Sequence, residues 1–243
     1  MTTILPSVQE VAQSIDHAIL KPNLTQAELD AELTLANKLG VATVCVRPTD
    51  VAYAQHVMSK FENPTPVGTV IGFPHGSTTT AVKAVEALEA IDNGASEIDI
   101  VVNISLVLNG RIDEAVREVY EIVTITREAG VKVIKVIFEN AYLTPELVEE
   151  LTLAMQLSGA DFVKTSTGFA PTGAVINDVA IMHYNRGNME VKASGGIRSL
   201  DDYLKFKEVG ATRFGTSNAQ IILEDLNSRL TDGTSTNESG NDY

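Results

Sequence analysis

Cysteine is scarce in this chain. Cys45 is the single one, which excludes an intramolecular disulfide framework and a zinc site built on cysteine clusters, and suits a reducing compartment. Long apolar runs are missing too: the stretch 131–138 is interrupted by Lys132 and Lys135, whereas a membrane-spanning helix needs roughly 20 mostly apolar residues. No membrane partner is expected. The opening MTTILPSVQE lacks a positive start, an apolar stretch and a small-residue cleavage site, so no secretory signal is read and a cytoplasmic location is expected. Basic residues are outnumbered, with 18 Lys and Arg against 32 Asp and Glu and a net charge of −14. That field repels a nucleic-acid backbone. The four histidines, His17, His56, His75 and His183, have no H-x-x-x-H or H-x-E spacing, so no metal is expected.

What is present is apolar material for a sizeable core, 44% of 243 residues, arranged in a regular alternation. Strand-like runs fall at 15–20, 42–46, 67–73, 97–102, 132–138, 161–165, 190–193 and 213–215. The stretches 25–40, 78–94, 144–159 and 199–210 each open on Ser or Thr and close on Gly, which are N-cap and C-cap signals for helices. Segments 49–61 and 113–130 repeat apolar residues at three- and four-residue steps. Strand starts recur at intervals of roughly 28 residues, the length of a βα unit, and eight such units predict a (β/α)8 barrel. A doubly wound open sheet is the alternative, but the Gly-rich first turn of a dinucleotide site is missing. Residues 1–230 are read as one domain, and the polar 231–243 as a flexible tail.

Alternation along a strand then sorts side chains into lumen and helix-facing sets. In 97–102, Ile98 and Ile100 face the helices and Asp99 faces the lumen; the same parity turns Lys164, Lys192, Lys135 and Cys45 inward. Strand-end lysines can snorkel into solvent, but two ammonium groups near each other in a desolvated site lower at least one pKa. A lysine neutral near pH 7 is a nucleophile for carbonyls, so the pattern points to Schiff-base chemistry. Glycine loops at 168–173, 194–199 and 215–219 offer backbone N–H groups near helix starts. In a barrel, the loops after strands 7 and 8 commonly hold phosphate, although any one of them is also an ordinary turn. Global acidity does not forbid this, because salt screens distant charge. Asp16 either orients a neighbour or caps a turn, Cys45 reads as a small buried hydrophobe or a nucleophile, and His17 and His75 are weaker candidates for substrate contact.

The motifs SIDHAILKP (14–22), IGFPHG (71–76), EIDIVVN (97–103), ADFVKTSTGF (160–169), VKASGGIR (191–198) and GTS (215–217) together resemble the deoxyribose-phosphate aldolase family over almost the whole folded chain. The resemblance implies a class I aldolase that reversibly cleaves 2-deoxy-D-ribose 5-phosphate to D-glyceraldehyde 3-phosphate and acetaldehyde, with no metal or organic cofactor. It implies that Lys164 forms the Schiff base, that Lys192 depresses the pKa of Lys164, and that Asp99 acts through a water in proton transfer. Gly195, Gly196, Arg198, Gly215 and Ser217 match its phosphate loops, and Cys45, Lys135, Thr165 and Gly168 are expected at the substrate. Some members end in a tyrosine linked to proton transfer, so Tyr243 is a candidate, with an untethered tail as the alternative; Asp16 is the other candidate. Ala18, Arg47, His75 and Asn218 depart from the family pattern. The expected partners are a phosphosugar and aldehydes, with a homodimer left open. A barrel aldolase or transaldolase for another phosphorylated sugar, and a noncatalytic phosphosugar-binding barrel, are the alternatives.

Overall fold

The computed structural model describes residues 5–238, with side chains described as far as residue 232. Eight parallel strands close into one barrel in sequence order: β1 Ile15–Ile19, β2 Thr43–Val46, β3 Val67–Ile71, β4 Glu97–Val101, β5 Val133–Ile137, β6 Phe162–Lys164, β7 Glu190–Ser194 and β8 Arg213–Thr216. Every strand expected from alternation is there, most trimmed by one or two residues, while β7 and β8 each run one residue further. The helices are α1 Val8–Ala12, α2 Gln26–Leu39, α3 Val51–Met58, α4 Thr80–Asp92, α5 Ile104–Leu108, α6 Ile112–Glu128, α7 Pro145–Met155, α8 Ile176–Asn185, α9 Leu200–Glu208 and α10 Ala219–Glu238.

The cap signals translate into hydrogen bonds. Thr25 and Ser199 form capping boxes with Glu28 and Asp202, Thr79 and Thr144 accept from the first turns of α4 and α7, and Gly40 ends α2 in the left-handed conformation at φ 66°. Helix α8 has Val175 at its N-cap position, with no side-chain cap bond, so it carries no such signal in the sequence. Of the stretch 231–243 read as a tail, residues up to Glu238 continue α10, and 239–243 lie outside the described residues. Tyr243 lies outside the described residues.

The apolar core is the layer between barrel and helices. Val44, Val46, Ile98, Ile100, Ile134, Val136, Val163, Val191 and Ala193 are fully enclosed there, each larger side chain contributing about 1.5–3 kcal/mol by leaving water. The lumen instead holds the buried charges, Asp16, Glu97, Asp99, Lys135, Lys164 and Lys192, together with Thr43. Among the described residues no helix is long and apolar enough to cross a membrane.

Candidate active site

Register brings the inward charges together. Asp99 pairs across to Lys135, Lys164 to Lys192, and Lys192 to Arg213. Asp99 Oδ2 accepts from Lys164 Nζ at 2.7 Å and from Lys192 Nζ at 2.6 Å, while its Oδ1 accepts from Lys135 Nζ at 3.0 Å. Lys192 also donates to Asp16 Oδ2. Beneath them Lys135 reaches Glu97 at 2.6 Å, and the Arg213 guanidinium joins Asp16 at 2.5 Å, Glu97 at 2.8 Å and Thr43 at 2.8 Å.

Lys135, Lys164, Lys192 and Arg213 thus face only three carboxylates, Asp16, Glu97 and Asp99, so a fully ionised cluster carries one surplus positive charge. Burial resolves the surplus on Lys164: desolvation lowers its pKa against the pull of Asp99, and the neighbouring Lys192 ammonium lowers it further. Desolvation acts on Lys192 and Lys135 as well, but their carboxylate partners outweigh it and both pKa values are raised. Asp99 and Asp16 are desolvated too, yet the surrounding cations hold both well below the usual carboxylate range. One lysine is therefore the readily neutralised member of a network whose other members stay charged. Burial, with the Asp99 charge, pushes the Cys45 thiol up to about 11, so Cys45 stays a thiol near neutral pH, in line with its reading as a small buried group.

Over this network opens a cavity of about 410 Å³. Asp16, Cys45, Lys164 and Lys192 reach it from the barrel; Thr167, Gly168 and Phe169 form one wall; Gly195, Gly196, Arg198, Gly215, Ser217 and Asn218 form another; Ala18, Leu20 and Lys21 complete it. Gly195 and Gly196 both have φ near 80°, a conformation glycine adopts freely, and a Cβ on Gly215 would run into Ser194 Oγ. Nothing lies within 4 Å of where a Cβ on Gly196 would stand, so the backbone there is open to a small anion. The Arg198 N–H is already given to Asp202 at 3.1 Å, leaving its guanidinium as the group available at the rim.

Two expected substrate contacts are not at this cavity. Lys135 lies below it, spent on Glu97 and Asp99, because alternation tells which face a side chain takes and not how deep in the lumen it sits. Thr165 is fully buried, its hydroxyl donating to the Ser194 carbonyl and accepting from the Ser194 N–H; it ties the end of β6 to β7. Asp99 touches the cavity only through the lysines it binds. His17 points between barrel and helices, where its Nε2 meets Glu32 at 2.6 Å, and His75 lines a separate groove with Phe73 and Glu86. Arg47 pins the loop after β1 through the carbonyls of Lys21 and Pro22 and pairs with Asp50 just past β2. Asp16 proves to orient neighbours, Lys192 and Arg213, rather than cap a turn. Glu97, Arg213, Thr167 and Lys21 were not anticipated; Glu97 shares the parity of Asp99, which was the available signal.

A closed parallel barrel with a lysine pair on one carboxylate, opening on a glycine-walled cavity, has the architecture of a barrel aldolase. The family described as DeoC/LacD family aldolase matches residues 10–218, and the chain belongs to that family of carbon–carbon lyases. A deoxyribose-phosphate aldolase of Thermoanaerobacter sp. is 43% identical over 221 residues, covering 89% of this chain and 97% of the relative. The structure of QR15, an aldolase, aligns with a TM-score of 0.83 at 40% identity, over 91% of this chain and 97% of that one. Deoxyribose phosphate aldolase from Aeropyrum pernix aligns with a TM-score of 0.85 at 32% identity, over 93% and 94% of the two chains.

Proposed function

We propose that the protein is a class I aldolase that reversibly cleaves 2-deoxy-D-ribose 5-phosphate to D-glyceraldehyde 3-phosphate and acetaldehyde through a Schiff base on Lys164. The observation that carries this reading is the position of Lys164: buried, facing the cavity, 2.7 Å from Asp99, and the one of the three lumen lysines in which burial outweighs the carboxylate pull and lowers the pKa. Relatives named for this activity cover nearly the whole chain, which supports the substrate.

The neutral Lys164 amine adds to the C1 aldehyde of the open-chain sugar to give a carbinolamine, and loss of water leaves an iminium. Its positive charge forms beside the Asp99 carboxylate, which is already in place to stabilise it. Removal of the C3 hydroxyl proton lets the C2–C3 bond break, its electrons passing into the iminium to make an enamine, and the C3 fragment leaves as an aldehyde. Protonation of the enamine carbon and hydrolysis release acetaldehyde and restore the amine. Asp99 and Lys192 form the proton-transfer pair, Lys192 being the member that faces the cavity, with a water relaying to substrate. Gly195, Gly196, Gly215, Ser217 and the Arg198 guanidinium hold the 5-phosphate, with Gly168 on the facing wall. No cofactor enters these steps. In the cleavage direction the reaction is catabolic, and the lone cysteine suits a cytoplasmic site.

Borohydride trapping tests the reading. Incubation with acetaldehyde and borohydride, digestion and mass spectrometry should locate an ethyl group on Lys164, and Lys164→Leu should abolish it. Modification mainly at Lys192 or Lys135, or no cleavage of the phosphosugar, would overturn it.

A further inference from the structure

Just past β5 the chain does something it does nowhere else among the described residues: Glu139 takes a positive φ, 57°, without being glycine. For a side chain with a Cβ this backbone region is sparsely populated and persists where the surroundings enforce it. What enforces it is a buried bridge. Glu139 is 2% exposed; its Oε1 accepts from the Thr167 N–H at 3.2 Å and its Oε2 from the Thr167 hydroxyl. That hydroxyl in turn accepts from the Phe169 N–H at 3.0 Å. One carboxyl therefore organises the loop that follows Lys164.

This loop is a wall of the cavity, through Thr167, Gly168 and Phe169, and it also supports the facing wall. A Cβ on Gly195 would sit 2.9 Å from Gly173 Cα and 3.5 Å from Gly168 Cα, so the two glycine loops lie in backbone contact. The Ala174 N–H is shared by the carbonyls of Ser194 and Gly195, each at 3.0 Å. Displacing the loop after β6 would therefore displace the Gly195–Gly196 backbone. Glu139 itself is neither part of the cavity lining nor hydrogen-bonded to Lys164. Burial raises its pKa, the bonds from Thr167 oppose that, and the charged or titratable groups facing it are Lys164 and His75.

We propose that Glu139 is a positioning residue for the substrate's phosphate, acting through Thr167 to hold the loop after β6 against the glycine cradle after β7. The proposal rests on the reading of the cavity as a phosphosugar site. It differs from a catalytic role, which would act on Lys164, and from a purely structural one, which would act on stability alone.

The experiment compares the full-length parent with Glu139→Gln, Thr167→Val and Thr167→Ser, using 2-deoxyribose 5-phosphate and unphosphorylated 2-deoxyribose. Glu139→Gln and Thr167→Val should raise KM for the phosphorylated sugar by about tenfold, the scale of one hydrogen bond to a charged group, with kcat within about twofold. The unphosphorylated sugar should be affected far less, Thr167→Ser should restore the parent KM, and borohydride trapping on Lys164 should persist throughout. A fall in kcat or trapping at unchanged KM would overturn the proposal in favour of an effect on Lys164. A lower melting temperature with unchanged kinetics, or equal losses for both sugars, would overturn it as well. Should Glu139→Gln fail to fold, Thr167→Val carries the same comparison. If the parent itself neither cleaves the sugar nor traps acetaldehyde, the aldolase reading fails separately, and calorimetry with inorganic phosphate still decides the positioning role: weaker binding by Thr167→Val than by the parent supports it, and equal binding refutes it.

Discussion

Lys164 and Lys192 lie side by side in register on β6 and β7 and donate to the same oxygen, Asp99 Oδ2, at 2.7 and 2.6 Å. What separates them is the second carboxylate. Both border the cavity, but Lys192 also has Asp16, whereas Lys164 has Asp99 alone. Two identical side chains on adjacent strands thus receive opposite pKa shifts from one local difference in pairing.

The first prediction concerns that difference. The rate should rise with pH as Lys164 loses its proton and level off once the amine is neutral. Because the Lys192 ammonium helps lower the pKa of Lys164, Lys192→Leu should move the rising limb to higher pH. At pH 7 this should cost at least about tenfold in kcat/KM, part of it from the lost proton donor. The pH profile of kcat/KM checks it: a reduced plateau with an unmoved limb would mean that Lys192 only transfers protons.

The second prediction concerns the cradle. If phosphate is held as proposed, by the Gly195–Gly196 backbone and the Arg198 side chain, kcat/KM for unphosphorylated 2-deoxyribose should fall by about 100-fold or more. Arg198→Ala should raise KM for the phosphosugar by about tenfold with little change for the free sugar. Equal catalytic efficiency for both sugars in the parent would remove the phosphate site from the mechanism.

The barrel and the lysine pair were legible because both depend on short-range pattern. Apolar β-prone runs marked all eight strands, and period-two alternation within them turned Asp99, Lys164 and Lys192 inward. Depth within the lumen was not legible: Lys135 and Lys192 have the same parity, yet cross-strand stagger leaves Lys135 under the network and Lys192 at the cavity. Glu97 and Arg213 open their strands, where charge ordinarily means a solvated end; Glu97 meets Lys135 across the β4–β5 pair, and the β1–β8 pairing that closes the barrel brings Arg213 to Asp16. Glu139 was hidden because nothing local in KVIFENAY demands a left-handed backbone; the demand comes from Thr167, 28 residues away. Helix α8 lacked the cap signal that marked its neighbours.

A third prediction follows from the proposed mechanism, in which the electron sink is an iminium on Lys164. The three lumen carboxylates, Asp16, Glu97 and Asp99, already carry cationic partners, and among the described residues no three His, Cys, Asp or Glu side chains gather as a metal-ligand set. Excess EDTA should leave kcat within experimental error of the untreated enzyme. A loss of rate restored by a divalent ion would contradict the Schiff-base mechanism.

The last prediction concerns stability away from the cavity. Lys83 on α4 and Glu118 on α6 form a buried ion pair at 2.8 Å, with Lys83 also donating to the Val101 carbonyl at 2.8 Å and Glu118 accepting from the Asn103 N–H at 3.2 Å. Desolvation lowers the Lys83 pKa against the pull of Glu118, so the pair holds two helices to the end of β4 at a sizeable desolvation cost. Lys83→Met leaves the Glu118 carboxylate buried without its cation and should destabilise the fold by about 3–5 kcal/mol. Lys83→Met combined with Glu118→Leu removes both charges and should recover much of that loss, short of full recovery because the Asn103 N–H loses its acceptor. Urea denaturation of the parent, both single variants and the double variant closes the cycle. If the double variant is as unstable as the sum of the singles, the two side chains act independently and the coupling assigned to them is absent.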